Sequence, residues 1–316
     1  GLLAFTVIFV LAFVREQKLA YISIALMGFG VLITGMVETN MTFYLATIIM
    51  SIGFHYFETL SSSLTLQWID KDKTAEFLGR VIATRSAASI AAFSLVWVLF
   101  EIFNIDYFWI YVIGGGFSVI AAFFCWQHFA YFPQKVTQTK KVVLRKRYWL
   151  YYALQFMGGA RRQIFVVFAA FLMVEKFEFS VGAISLLLLA NAAINVTLAP
   201  KIGRLIHKFG ERRSLIFEYV GLAFIFVGYA VVESSTFAVF LYIADHIFFS
   251  IAIALKTYFQ KIADPADIAS SAGVSFSINH IAAVFIPVIF GLIWLYSPSL
   301  VFLAGAGMAV LSLIHI

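Results

Sequence analysis

Long apolar runs, separated by short polar or turn-forming junctions, dominate the pattern of this sequence. A membrane-spanning helix needs about 20 apolar residues, because the hydrocarbon core of a bilayer is about 30 Å thick. The runs therefore predict a polytopic, all-α membrane protein. The predicted spans lie near residues 1–14, 19–37, 42–68, 80–100, 107–132, 148–174, 180–200, 214–232, 236–260, 273–295 and 298–316.

Composition agrees with this pattern and excludes several other classes of protein. Hydrophobic residues make up 63% of the chain and charged residues 12%, whereas soluble proteins carry about 25% charged residues. The single cysteine, Cys125, allows no internal disulfide. The chain has no phosphate-binding glycine loop and no His-Glu-x-x-His zinc motif. We therefore expect no enzyme, no catalytic residue, no metal site and no cofactor other than a coupling ion, with the proton as the first choice.

The net charge of +6 follows from membrane topology. Basic residues gather in alternate junctions, while the opposite junctions carry Lys176 among acidic residues. Positive residues stay on the cytoplasmic side, so the basic junctions are predicted to be cytoplasmic. The expected partners are the lipid bilayer and a small-molecule solute, and nucleic acid is not expected. We predict a monomer in the plasma membrane, which in a bacterium is the inner membrane.

An internal repeat relates two parts of the chain. Glu16 matches Glu211 and Glu38 matches Glu233 at an offset of 195 residues (211 − 16 and 233 − 38). Both copies have the same orientation, as in two parallel six-helix halves. The predicted halves are residues 1–134, without the first helix and part of the second, and residues 148–316, with helices seven to twelve.

The two ends of the chain and the segment between the halves carry further expectations. Both ends lie inside apolar runs, so the chain is expected to be a fragment. The terminal residues 311–316 resemble translated sequencing adapter and carry no functional expectation. A basic linker, residues 135–147, joins the halves. We interpret it as a solvated topology determinant, with binding of anionic lipid headgroups as the alternative.

One junction resembles the loop signature of the major facilitator superfamily (MFS). Its matching residues are Gly203, Lys208, Gly210, Arg212 and Arg213, with Glu211 inserted before the arginine pair. His207 stands where the family usually has aspartate, and the first half lacks the pattern. The resemblance implies a 6+6 helix bundle in which helices one, four, seven and ten line a central cavity. Independently of the family, the two glycines would permit a tight turn and the cations would stabilise helix ends.

Ionisable residues inside the predicted spans are functional candidates, because each costs a few kcal/mol to place in a bilayer. Counted by the repeat, they belong to helices four, seven and ten. They are His55, Glu58, Arg161, Arg162, Asp245 and His246. Weaker candidates are Asn191, Asn195, Asn279 and His280, while Arg85 and Glu218 are expected to extend toward the membrane surface.

Helical spacing suggests which of these residues face the cavity. One stripe contains Tyr151, Gln155, Gly158 and Arg162 and continues to Phe165. Arg162 is therefore predicted to face the cavity, whereas Arg161, about 100° away around the helix, is predicted to pack against a neighbouring helix.

These residues support two functional hypotheses. Glu58, Asp245 or the histidines would bind and release a proton. Arg162 would bind an anionic group of the solute, with Gln155 as a further candidate for solute binding. The alternative is static pairing of arginines with acids, which we favour for Arg161. The predicted function is a secondary active, proton-coupled transporter that works by alternating access. A non-transporting assembly factor or receptor with the same fold is the alternative, and an intramembrane enzyme that uses His55, Asp245 or His246 is the third hypothesis.

Overall fold

The computed structural model describes residues 2–10, 14–132 and 135–314, and these residues form helices and connecting segments without a strand. The predicted all-α class is therefore confirmed. Each of the predicted spans corresponds to a helix or to a rod of consecutive helical segments. Position 134, where the first half was predicted to end, and residues 315 and 316 lie outside the described residues.

The helices follow the chain with short connections. They are α1 (Leu2–Val10), α2 (Glu16–Thr34), α3 (Asn40–Trp68), α4 (Lys71–Trp97), α5 (Tyr107–His128), α6 (Trp149–Gln163), α7 (Ala170–Glu175), α8 (Val181–Phe209), α9 (Glu211–Val231), α10 (Ser235–Phe249), α11 (Ile253–Ile262), α12 (Ile268–Tyr296) and α13 (Pro298–Ile314). Two π-helical segments, Val98–Ile102 and Ile164–Ala169, extend α4 and join α6 to α7. A 3-10 turn, Ser250–Ala252, joins α10 to α11.

Length and composition make this an integral, multi-pass membrane protein. Eight helical rods in the described part of the chain are long and apolar enough to cross a membrane. Helix α3 is not among them, because its polar residues lower its hydropathy. Large apolar side chains such as Phe117, Phe224 and Leu295 are 73%, 74% and 84% exposed, which suits contact with lipid.

The described residues form two compact units. Unit 1 contains Gly1–Trp68, Ala91–Val143 and Asp264–Ser277. In it, α2 packs against both α3 and α5. A Cβ atom on Gly115 would lie 2.5 Å from the carbonyl oxygen of Gly28, so small residues allow α2 and α5 to touch backbone to backbone. The predicted six-helix halves stay a prediction.

The linker between the predicted halves is partly fixed within unit 1. The backbone N–H of Thr139 donates to the carbonyl of Ala266 at 2.7 Å. The Ser270 hydroxyl donates to the Lys141 carbonyl at 2.7 Å and accepts from the Val143 N–H at 2.9 Å. The middle of the linker is thus hydrogen-bonded to the segment that begins α12. Hydrophobic periodicity carries no signal for such contacts between connecting segments, so the expectation of a solvated linker was incomplete.

Unit 2 contains Ile69–Ile90, Leu144–Ala263 and Ile278–Ile316. Helix α9 is its central element and packs against α13, α10, α11 and α8. The core includes Ile164, Phe226 and Phe302, which are 0% exposed. The ring of Tyr229 stacks on Phe302 with 5.0 Å between centroids.

Within unit 2, α4 and α8 cross through glycines. A Cβ atom on Gly79 would lie 2.4 Å from the Ala199 carbonyl oxygen, and one on Gly203 would lie 2.4 Å from the Ala75 carbonyl oxygen. Gly203 therefore lies inside a helix, and the predicted tight turn at this residue was wrong, because α8 continues to Phe209. The chain does turn at Gly210, whose φ of +83° is accessible to glycine at little cost.

Candidate functional site

Two adjacent arginines of α6 have different surroundings in unit 2. They lie in the middle of the rod that runs from α6 through the π-helical segment Ile164–Ala169 into α7. Arg161 is 3% exposed, whereas Arg162 is exposed. Such π-helical segments often mark functional sites in helices. The rod thus presents one cation to the interior of the unit and one to its surface.

Arg161 is held mainly by α9 and α13. Its guanidinium carbon lies 4.4 Å from the centroid of the Tyr219 ring, a distance typical of a cation–π interaction. The guanidinium donates to the Met308 carbonyl at 3.4 Å and to the Ser312 hydroxyl at 2.7 Å. Ser312 lies in the last turn of α13. The Nε atom of Arg161 is buried without a hydrogen-bond partner.

Two carboxyl groups lie within electrostatic range of Arg161, Glu218 on α9 and Asp245 on α10. They are 2% and 1% exposed. Neither forms an ion pair within 4.0 Å in the described part of the chain. One oxygen of each, Oε2 and Oδ2, is buried without a hydrogen-bond partner. The charged cluster, defined as Arg161, Glu218 and Asp245, therefore has two acids for one cation and does not contain a direct salt bridge.

Sequence reasoning placed Glu218 wrongly. It was expected to extend toward the membrane surface, since it lies two turns from the start of α9. Its side chain is instead covered on the face of α9 near Arg161. The sequence signal was the pair Glu218-Tyr219 inside an apolar helix that also carries Tyr229.

A polar network lies next to the charged cluster along α10. The Nε2 atom of His246 lies 2.8 Å from the Asn195 amide nitrogen on α8, and the Ser250 hydroxyl donates to the Asn195 carbonyl oxygen at 3.1 Å. One turn earlier on α8, the Asn191 side chain is 2% exposed, and neither its nitrogen nor its oxygen has a hydrogen-bond partner. We call His246, Asn195, Ser250 and Asn191 the polar network.

Arg162 is close to this network. Its guanidinium carbon lies 5.7 Å from the Phe249 ring centroid, and the residue is within electrostatic range of His246. The network and Arg162 together offer hydrogen-bond donors, acceptors and one exposed cation from α6, α8 and α10. Such a set of groups can bind a polar or anionic small molecule.

The predicted stripe on α6 is only partly exposed. Gln155 donates to the Tyr151 hydroxyl at 3.0 Å, but Tyr151 itself is buried and stacks on Phe259 with 4.2 Å between centroids. Phe165 does not continue the stripe outward. It is 7% exposed and packs 4.9 Å from the Tyr242 ring. The π-helical segment changes the helical period after Gln163, so the spacing no longer applies there.

Unit 1 contains the two predicted candidates of α3, His55 and Glu58. The Nδ1 atom of His55 lies 2.7 Å from the Ser51 carbonyl oxygen, and Glu58 on the same helix is half-buried. Sequence reasoning missed the role of Glu16 as an acceptor here. Its Oε2 atom accepts from the Ser63 hydroxyl at 3.0 Å and from Gln67 at 2.9 Å. The i,i+4 spacing of the two donors on α3 was the available signal.

The residues of the loop signature lie around the α8–α9 connection. Lys208, Arg212 and Arg213 are exposed, and the inserted Glu211 pairs with Lys261 at 2.8 Å. Arg213 also lines an apolar cavity of about 370 Å³ with Phe209 and Phe217. No three His, Cys, Asp or Glu side chains lie close enough together to hold a metal ion in the residues that the structure describes.

Comparisons with known proteins agree on one architecture. A family model described as Major Facilitator Superfamily matches residues 3–287, and no curated protein sequence matches the chain. The fold is similar to that of the E. coli fucose:proton symporter, with a TM-score of 0.78, 12% identity, and coverage of 99% of this chain and 86% of the other.

Two further solved structures are similar. The human organic anion transporter TETRAN gives a TM-score of 0.70 at 13% identity, with coverage of 99% of this chain and 82% of the other. A bacterial homologue of the iron transporter ferroportin, in an outward-facing state, gives 0.69 at 14% identity, with coverage of 99% and 88%. At such identities, these likenesses concern the fold.

Proposed function

Because the chain belongs to the Major Facilitator Superfamily, whose members are transporters and not enzymes, we propose that it is a proton-coupled secondary transporter. In this proposal it moves a small polar solute across the membrane by alternating access. The solute and the coupling ion are proposed here, on the basis of the family to which the chain belongs and of its membrane-spanning helices.

The observation that carries the proposal is the exposed position of Arg162 near the middle of the helical rod Lys146–Glu175, which is long and apolar enough to cross a membrane. Glu175, the last residue of α7, lies thirteen positions after Arg162 (175 − 162), which corresponds to about 20 Å of helix. An arginine at this depth is costly to place against hydrocarbon and normally faces the bundle interior or a water-filled cavity. The exposure of Arg162 therefore supports an aqueous path for the solute along this face of unit 2.

The chemistry around Arg162 favours a solute that combines an anionic group with hydroxyl groups. The guanidinium offers a planar, always-charged fork of donors that matches a carboxylate. The polar network adds the uncommitted amide of Asn191. The similar structures include a fucose:proton symporter, a proton:xylose symporter and an organic anion transporter, so the fold alone does not choose between sugars and anions. The guanidinium of Arg162 favours the anion.

Transport into proteoliposomes tests this proposal. Purified protein would be reconstituted, a pH gradient imposed, and uptake of radiolabelled L-fucose, D-xylose, L-lactate and D-glucuronate measured with and without a protonophore. We expect gradient-dependent uptake of an anionic compound, and we expect Arg162→Gln to reduce it at least tenfold. Arg204→Gln, at an exposed arginine of α8, is the matched control and should transport like the wild type.

Two outcomes would contradict the proposal. Full uptake by Arg162→Gln would remove Arg162 from the solute site. No gradient-dependent flux for any compound, together with a protein partner that co-purifies stably, would instead favour a non-transporting assembly factor or receptor.

A further inference from the structure

The charged cluster has a property that a static ion pair does not have. Arg161, Glu218 and Asp245 are all at least 97% buried, and they come from three helices, α6, α9 and α10. With both acids ionised, the cluster has a net charge of −1. Burial of an uncompensated carboxylate is costly, and the binding of one proton removes the surplus charge. The buried cluster of two acids and one cation is therefore electrically neutral when it has bound one proton.

We propose that Asp245 binds the coupling proton and that Glu218 acts as the counter-charge of Arg161. This inference rests on the proposed function and names a residue and a site for the coupling step. When the proton binds, an O–H bond forms on the Asp245 carboxylate and the cluster becomes neutral. When the proton leaves to water, the surplus negative charge returns. No other reactant takes part.

Geometry favours Asp245 over Glu218 as the carrier. Asp245 precedes His246 of the polar network on α10, so a change at the carboxyl is one residue from the proposed solute site. Glu218 instead lies next to Tyr219, the residue against which the Arg161 guanidinium packs. Asp245 thus links the charged cluster to the solute site along α10, whereas Glu218 adjoins in sequence the tyrosine that packs against the Arg161 guanidinium.

The surroundings of Asp245 contain further groups that respond to its charge. Tyr229 from α9 and Tyr242 from its own helix are within electrostatic range of the Asp245 carboxyl, as is Arg161 from α6. The hydroxyl of Tyr229 is buried without a hydrogen-bond partner, like the Oδ2 atom of Asp245. Helix α13 carries no titratable residue between Pro298 and Ile314, and Asn195 of α8 contacts His246, the residue that follows Asp245 on α10. In the described part of the chain, Arg161 is the cation within electrostatic range of the Asp245 carboxyl, whereas Arg162 is within range of the neighbouring His246.

An infrared titration tests the proton directly and needs no solute. Purified protein in lipid would be titrated while the band of protonated carboxyl groups is recorded, for the wild type, Asp245→Asn and Glu233→Gln. Glu233 is an exposed acid paired with Lys176 and serves as the matched control. We expect the wild type and Glu233→Gln to show the part of this infrared band that comes from a buried, protonated carboxyl group. We expect Asp245→Asn to lose it. An unchanged band in Asp245→Asn would overturn the proposal.

Transport separates a proton carrier from a structural residue. Asp245→Asn should lose gradient-driven accumulation of the transported anion but keep counterflow, in which labelled and unlabelled solute exchange without a gradient. Glu218→Gln should accumulate the solute only at lower pH than the wild type, because removal of this like charge leaves the Asp245 carboxylate as the counter-charge of Arg161 and favours its ionised form. Retained counterflow also shows that each variant is folded.

The outcomes distinguish this inference from the proposed function. If wild-type protein shows no gradient-driven uptake, the proposed function fails. If the wild type is coupled and Asp245→Asn remains equally coupled, the assignment of Asp245 fails while the proposed function stands.

Discussion

The crossing of α4 and α8 predicts a loss of stability when either of its glycines is replaced with alanine, and two distances set the size of that loss. A Cβ atom added at Gly203 would lie 2.4 Å from the Ala75 carbonyl oxygen, and one added at Gly79 would lie 2.4 Å from the Ala199 carbonyl oxygen. Ordinary contact begins at 3.4 Å, so each alanine requires the helices to separate by about 1.0 Å (3.4 − 2.4). Both obstacles are backbone atoms, which cannot rotate away as a side chain can.

Overpacking of this kind costs about 1–3 kcal/mol. Each kcal/mol lowers the melting temperature by about 2–4 °C in chains of 150–250 residues, so we expect Gly203→Ala and Gly79→Ala each to lower it by several degrees. Because one separation of the helices accommodates both methyl groups, the double variant should lose less stability than the sum of the single variants.

Thermal unfolding in detergent, followed by tryptophan fluorescence, measures this effect. Gly307→Ala on α13 is the matched control, since a Cβ atom there would meet nothing within 4 Å. The reasoning is refuted if Gly203→Ala and Gly79→Ala melt at the same temperature as Gly307→Ala, or if their effects are fully additive.

Three further predictions rest on single side chains. Ser270→Ala removes both linker hydrogen bonds of the hydroxyl and should make the linker more sensitive to limited proteolysis, whereas unchanged cleavage rates would show that these bonds do not hold it. Trp294→Phe removes the hydrogen bond to the Glu175 carboxylate, which is 2.7 Å long, and should cost about 1.5–3 kcal/mol in thermal unfolding; an unchanged melting temperature would contradict this. Asn195→Leu removes the partner of His246 and should raise the KM for the solute with little change in the melting temperature. An unaltered KM would exclude the network from the solute site.

The pattern of hydrophobic positions along the chain was sufficient to predict its membrane-spanning helices. Apolar runs of about 20 residues can hardly adopt another structure in a bilayer, because every backbone polar group must be bonded within the segment. The predicted spans therefore match the helices, although α8 extends nine residues beyond the predicted end at position 200. The predicted span ended at position 200 because polar residues follow it, namely Lys201, Arg204 and Lys208. A helix that leaves the membrane can nevertheless continue in water.

Side-chain environments were less predictable, and Glu218 and Phe165 show why. The position of Glu218 along α9 was known from the sequence, but its burial depends on which neighbour covers that face. Phe165 was assigned by a period of 3.6 residues, which the π-helical segment interrupts. Periodicity describes one straight helix at a time, so contacts such as those of Arg161 with α9 and α13 need the packed structure.

Simultaneous measurement of solute and proton movement tests the central claim most directly. Proteoliposomes without an imposed gradient would receive the radiolabelled anionic solute at a saturating concentration while a pH electrode records the weakly buffered outer medium. A proton-coupled transporter predicts a pH change that begins with solute entry, scales with it, and disappears in Asp245→Asn. Solute entry without any pH change, in wild-type protein that is demonstrably active, would contradict the account.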